Sequence, residues 1–548
     1  MRRSVVIVLA VAVVVIVAAS AYFLWFSAPP VKQELVVRLW ADVDQLDPQV
    51  DSLTADFAVI TNIYNALVRF KHGTGEIEPD LAESWSVSDD GLTWTFKLRK
   101  GVKWHNSSFY GEFNASDVKY SYERIMDPET GSPWLGEFGS VESITVVDEY
   151  TVAFKLKYPY PGFIYKVSAF RGGFILNKKA VELYGEDYGR NPIGTGPFVF
   201  DHWGEKNEAV LVANEEYFEG RPKLDKVTFI GMTEESVGVL ALEAGEIHMT
   251  PIQESENYKT VLGQNGTTLN VVETATTSVW AISFQTNMTP FTDVRVRRAL
   301  YHATNRTEIV EIREGLVVPT NSFLAPAFFG ATEDVTVYEY DVDKAKQLLA
   351  EAGYPDGFTT TAYTGTTGAS VQLFTIVQSQ WAKVGVNVEL KALGGGEWFA
   401  AIRKGEPPVT YIPLGGRPPD PDIPLTMMFH TDNWPPGLNF MLYGSQEGEG
   451  IDDLLEAARK ELDDTKRRSL YEQMQQKIAE EVPCIPLWHG KSVYALRMNV
   501  KGFKPQPLAY IYGRLNDVYL EREATTQQTI RSNAVFMLDD REVAFSVP

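Results

Sequence analysis

The residues able to do chemistry in this 548-residue chain are thinly spread. Seven histidines could bind a metal or move protons, but no two stand three or four residues apart, so a histidine-built metal site would need long-range convergence. The single cysteine, Cys484, sits in the apolar run Val482-Pro483-Cys484-Ile485-Pro486-Leu487-Trp488 and reads as a small buried hydrophobe. One cysteine excludes an internal disulfide framework and any multi-cysteine zinc or iron–sulfur site. No H-E-x-x-H, G-x-S-x-G or phosphate-binding P-loop occurs. Asn191-Pro192-Ile193-Gly194-Thr195-Gly196-Pro197-Phe198 imitates an anion cradle, yet Pro197 lacks an N–H and a strand-like Phe198-Val199-Phe200 follows where a helix should begin. A tight structural turn is the better reading. With 72 acids, some pair will always resemble a glycosidase couple, so a secreted hydrolase has no support beyond composition. The expectation is a protein that is not an enzyme and carries no cofactor or metal.

The wider chain agrees with a large exported body. Fifty Lys and Arg against 72 Asp and Glu leave a charge of −22, which opposes binding to nucleic-acid phosphates. Arg2 and Arg3 precede Val5 to Phe26, 22 residues without a charge and interrupted only by Ser20. At about 1.5 Å per residue such a run reaches roughly 33 Å, enough to cross a bilayer. Residues 1–30 are therefore expected to be a signal peptide or an N-terminal membrane anchor, with the remainder extracytoplasmic. Sequons at Asn106, Asn114, Asn265, Asn287 and Asn305 are consistent with export.

The elements that must position any site alternate between two periods. Leu35–Trp40, Thr93–Leu98, Ser143–Val147, Thr151–Leu156 and Lys226–Ile230 alternate as strands. Asn114 and Asp117 form a capping box before Val118, Tyr122 and Ile125, and Pro128 closes that helix. Asp293 and Asn305 cap two further helices, Asp343–Ala352 ends at Gly353, and Ile451–Leu462 and Thr465–Glu480 follow. Thr359–Tyr363 and Val386–Leu390 read as strands between them. No repeat or low-complexity linker appears.

Several separated stretches, in order, resemble one family. They are Glu78-Pro-Asp-Leu-Ala-Glu-Ser-Trp85 with Asp90-Gly-Leu-Thr-Trp through Trp104-His105, Asn114 through Arg124, Asn191 through Phe198, Asp293-Val-Arg-Val-Arg-Arg-Ala-Leu300, Asp343 through Phe358, and Glu481 through Trp488. In these the chain is similar to the family 5 solute-binding proteins of ABC importers, which include oligopeptide-, dipeptide- and nickel-binding members and several oligosaccharide binders. The resemblance implies an α/β, two-lobed, periplasmic-binding-protein-like fold of type II, with an extra subdomain in the first lobe and hinge closure around ligand. It implies a first lobe over 35–280 with its subdomain at about 60–185, a second lobe over 281–488, and a return to the first lobe over 489–548. The crossings are expected near Ser278–Asn287 and Trp488–Tyr494.

The site residues also follow from the resemblance. Ala41 through Pro48 matches a strand beside the ligand, which nominates Asp42 and Val43. Glu397-Trp398 matches a pair whose tryptophan faces the cleft in peptide binders. In Leu414-Gly415-Gly416-Arg417-Pro418-Pro419-Asp420-Pro421-Asp422, Arg417 occupies the position where peptide-binding members hold the ligand ammonium with an aspartate. An arginine cannot accept from an ammonium but donates to a carboxylate, phosphate or hydroxyl, unless Asp420 or Asp422 substitutes. The partners implied are an oligopeptide, or alternatively an oligosaccharide, and the permease subunits of an ABC transporter. A monomer is expected, with no nucleic acid, and the N-terminal segment as the membrane contact. A nickel or metal-complex ligand would require clustered His or carboxylates in the cleft.

Overall fold

Local rules decide most elements where the sequence places them. The computed structural model describes residues 32–522 apart from 52, 170, 206, 207, 367 and 509–512. The apolar run Val5–Phe26, and with it the leader or anchor, lies outside the described residues. Among those described, no helix is long and apolar enough to cross a membrane. In the strand Glu34–Leu39, Leu35, Val37 and Leu39 are fully buried, as period-2 alternation requires. The helix Ala115–Met126 starts at the expected capping box, with the Asn114 side chain accepting from Ser116 and Asp117 accepting from the Asn114 N–H. Asn305 likewise caps Arg306–Glu311, so two of the five sequon asparagines hold helix ends. The helix expected from Asp343 begins one residue earlier, because Asp341 is the residue that caps Val342–Glu351. At the glycine turn, a Cβ on Gly194 or Gly196 would lie 1.9 or 2.5 Å from the Ile63 carbonyl, so the glycines serve close backbone packing.

An eleven-stranded sheet runs through the molecule. On one side, Met249–Ile252, Glu34–Leu39 and Lys226–Gly231 are parallel neighbours, extended by two antiparallel strands. On the other, Phe358–Gly365 pairs in parallel with both Val386–Leu393 and Val409–Leu414. Two long antiparallel strands, Leu269–Phe284 and Cys484–Arg497, connect the halves and belong to both. Their register breaks between Ala275 and Val279. One hydrophobic core gathers residues from Leu35 to Met249 and from Tyr494 to Leu520, and a second gathers residues from Val279 to Trp488. A separate four-stranded antiparallel sheet, Ala82–Val87, Thr93–Leu98, Thr151–Leu156 and Val141–Asp148, packs within the first core.

The C-terminal return is tied to the first core by a buried ion pair. Asp80 accepts from Arg514 through both oxygens, and also from Asn65 Nδ2 at 2.6 Å and the Ala66 N–H at 3.0 Å. Burial pushes the Asp80 carboxyl up, but Arg514 and then Arg69 hold it below its ordinary value. Asp80→Ala would leave the Arg514 charge buried and unpaired, at a cost of about 3–5 kcal/mol. The expected result is a lower urea midpoint at unchanged m-value; a loss under about 1 kcal/mol would show the pair to be solvated.

Candidate ligand-binding cleft

The loop carrying Arg417 is held at the crossing between the two halves. Strand Val409–Leu414 ends with Leu414 opposite Val279, and the chain then turns through Gly415 and Gly416 into the helix Asp422–Phe429. Leu414 is buried, Gly415 exposed and Gly416 half-buried. The Thr277 hydroxyl, from the register break, donates to the Arg417 carbonyl at 2.7 Å and accepts from the Arg417 N–H at 2.9 Å. One threonine thus clamps the loop backbone to the connecting strand and leaves the guanidinium to be aimed by the prolines that follow.

That guanidinium lines a narrow recess of about 30 Å³ whose opposite wall comes from the first half of the molecule: Trp134, Glu137, Phe138, Tyr165, Lys166 and Arg171–Gly173 face Arg417, Pro418 and Ile423. Lys166 is paired with Glu137. Burial pushes the Glu137 carboxyl up, yet Lys166, Arg171 and Arg417 together hold it below its ordinary value. Burial and the nearby charge of Arg417 draw Arg171 down to about 10, while its guanidinium lies 4.7 Å from the centre of the Trp134 ring. Burial likewise lowers Arg417, with Glu137 the counter-charge. Among the described residues, Arg417 makes one side-chain hydrogen bond, from Nη1 to the Gly416 carbonyl at 3.2 Å.

Asp420 is engaged in a contact across the cleft. It is buried, accepts from the Tyr160 hydroxyl at 3.0 Å and from the Asp422 N–H at 3.2 Å, and a Cβ on Gly162 would lie 2.1 Å from its Oδ2. Burial and then the charge of Asp422 push its carboxyl up to about 6. Asp422 itself pairs with Arg459. Nearby, Pro419 packs where a Cβ on Gly75 would lie at 3.0 Å, and Leu462 meets the Gly91 position at the same distance. The two halves therefore touch at three points around the recess.

A second recess, of about 90 Å³, lies at the crossing itself, lined among others by Gln253, Ser278, Trp280, Arg313, Trp488 and Lys491. Trp488, Trp280, Tyr411 and Trp398 stack in series at centroid distances of 5.7, 5.2 and 4.6 Å. Trp398 closes the far end of that stack and donates to Thr410 Oγ1 at 3.2 Å, so it reaches the recess only through Tyr411 and Trp280. Asp42 is exposed beyond the end of strand Glu34–Leu39, where Gly231 lets its backbone approach, and Val43 is fully buried in the first core. Of the residues expected from sequence, then, Arg417 and Asp420 meet the opposing half, Leu414 to Gly416 carry them there, and Asp42, Val43 and Trp398 lie outside the Arg417 recess.

Sequence reasoning missed the opposing wall. Glu137, Lys166 and Arg171 sit in short helical turns and Tyr160 in the loop before one of them, and nothing in their local spacing marks them. Trp280 and Trp488 were visible only as aromatic residues in strand-like runs. No group of three or more metal-ligating side chains occurs among the described residues.

A family model described as bacterial extracellular solute-binding proteins, family 5 middle, matches residues 76–436. The glutathione-binding protein GsiB of Salmonella choleraesuis is 30% identical over 485 residues, covering 87% of this chain and 92% of that protein. HbpA2 of Haemophilus parasuis superposes with a TM-score of 0.82 at 28% identity, over 89% of this chain and 100% of that one. The Helicobacter pylori periplasmic binding protein DppA, in complex with the peptide STSA, has a TM-score of 0.73 at 31% identity, over 89% and 98% of the two chains. These are binding proteins and not enzymes, and with the sheet and connecting strands described above they establish that this chain belongs to the family 5 bacterial extracellular solute-binding proteins.

Proposed function

We propose that the chain, as a monomer outside the cytoplasm, captures short peptides between its two lobes and delivers them to the permease of an ABC importer. The carrying observation is a pair of recesses, one at Arg417 and one at the crossing strands, each walled by residues of both halves of the molecule. Relatives named for glutathione and crystallised with a tetrapeptide support a ligand of that size. The lobes proposed to close are 35–280 with 489–548, and 281–488, and Val5–Phe26 would serve as leader or anchor. Release to a permease favours affinity no tighter than micromolar, about −8 kcal/mol. A second reading, an oligosaccharide, draws on Trp280 and Trp488, which line the hinge recess and offer it apolar aromatic surface of the kind that meets sugar C–H groups.

Thermal-shift screening separates them, since ligand bound only to the native state raises the midpoint by mass action. Di- to pentapeptides are expected to raise it by several degrees and oligosaccharides to leave it unchanged; the reverse pattern would sink the peptide reading.

Closure has its own steric test. Gly162→Ala puts a methyl group into the Asp420 carboxylate across the cleft, at a backbone conformation alanine accepts. It is expected to weaken ligand binding at least tenfold, with some loss of unliganded stability because the same methyl meets the Tyr160 ring at 2.7 Å, and unaltered affinity would show that the Tyr160–Asp420 contact is not part of the bound state.

The same contact predicts a pH dependence. The Asp420 value of about 6 lies above the roughly 3.9 of an unfolded carboxyl, so its contribution is present in full below about pH 4 and is lost as pH rises through about 6. Relative to Asp420→Asn, the wild-type thermal midpoint should fall between pH 4 and 7 and run parallel above it. Parallel curves throughout would contradict the burial of this group.

A further inference from the structure

The recess between the halves is rich in charge of the sign opposite to the chain. Three cations, Lys166, Arg171 and Arg417, face one acid, Glu137, in a molecule whose formal charge is −22. Cationic side chains held together by the fold, against so acidic a background, need a compensating group when the cleft closes and water leaves.

We infer that the solute presents a carboxylate, and not an ammonium group, to Arg417. This rests on the reading of the recess as part of the ligand cleft. Among the described residues the Arg417 fork donates to one acceptor, the Gly416 carbonyl, while its backbone is clamped on both sides by Thr277, so the side chain is positioned but its remaining donors are open to a bidentate acceptor. No acid in the wall is placed to receive an ammonium. Glu137 is taken by Lys166, and Asp420 is buried under the Tyr160 hydroxyl with Gly162 against it. The depressed proton affinity of Arg171, caused in part by Arg417, points the same way, because an arriving negative charge relieves both. A carboxylate fits better than a phosphate dianion: Lys166 is already paired with Glu137, and Trp134, Phe138 and Ile423 add apolar surface to the wall.

The test is isothermal titration of the purified protein with acetyl-trialanine, trialanine amide, glutarate and a neutral trisaccharide. The acetylated acid is expected to bind about 10- to 100-fold tighter than the amide, the range of a charge-assisted hydrogen-bond pair. Arg417→Gln should erase that preference and Arg417→Glu should reverse it, whereas Arg417→Lys should keep its sign at reduced strength; unliganded thermal midpoints identify any variant that fails to fold. Equal or tighter binding of the amide by the wild type, or a preference that survives both Arg417→Gln and Arg417→Glu, would overturn the inference while leaving peptide capture intact. If neither peptide binds but glutarate does, with the same dependence on Arg417, the carboxylate assignment stands and peptide capture falls. Binding of the trisaccharide alone, or of no probe, overturns both.

Discussion

Everything in this molecule depends on two strands that serve both halves. Leu269–Phe284 and Cys484–Arg497 pair with each other along most of their length, so the sheet of one half is hydrogen-bonded to that of the other without a flexible linker. A continuous ladder of this kind resists sliding and shear, because its backbone groups have no other partners in the interior. The ladder is interrupted between Ala275 and Val279, where the register shifts and Thr276 and Ser278 bond each other and the Gly490 backbone through their hydroxyls. Side-chain hydroxyls replace ladder bonds there, and a hydroxyl can turn where a peptide cannot.

That local irregularity also builds the site. Thr277 sits at the break and clamps the Arg417 loop, so the charged side chain is fixed to the pivot and not to either lobe's periphery. The opposing wall, Trp134 to Arg171, hangs from the four-stranded sheet of the first core. In the arrangement described, the facing walls hold Arg171 and Arg417 close enough to repel and bury Asp420 under Tyr160. On the carboxylate reading proposed above, a bound anion would answer the first of these, and protonation of Asp420 would ease the second.

Much of the fold is legible in the sequence because its elements are decided locally. The capping box at Asn114, the cap at Asp293, the alternation of Thr93–Leu98 and Thr151–Leu156, and the glycine turn at Gly194–Gly196 each rest on interactions within a few residues. The candidate site was legible on one side. Arg417 stood out because its type differs from what the resemblance leads one to expect, and the turn-forming residues around it mark a loop. Tyr160, Lys166 and Arg171 carry no such mark: they lie some 250 residues from Arg417, and their role arises from which surface the subdomain turns toward the second half. Trp398 shows the converse, since its identity suggested a ligand-facing ring and packing placed it at the end of an aromatic stack behind Tyr411.

By itself, then, the sequence determined the class of protein, the family, the exported character of the body and the presence of one arginine in an acidic chain where an anion would be met. The class, the family and the arginine's position rest on the resemblance of separated motifs, the exported character on the charge-free run near the N-terminus, and the acidity on composition. The tertiary structure alone decided which residues face Arg417, that Glu137 and Asp420 are already engaged, and where the long ladder is interrupted. Those properties depend on distances between residues far apart in the chain, and no local pattern encodes such a distance until the two cores have packed and the long strands have fixed their register.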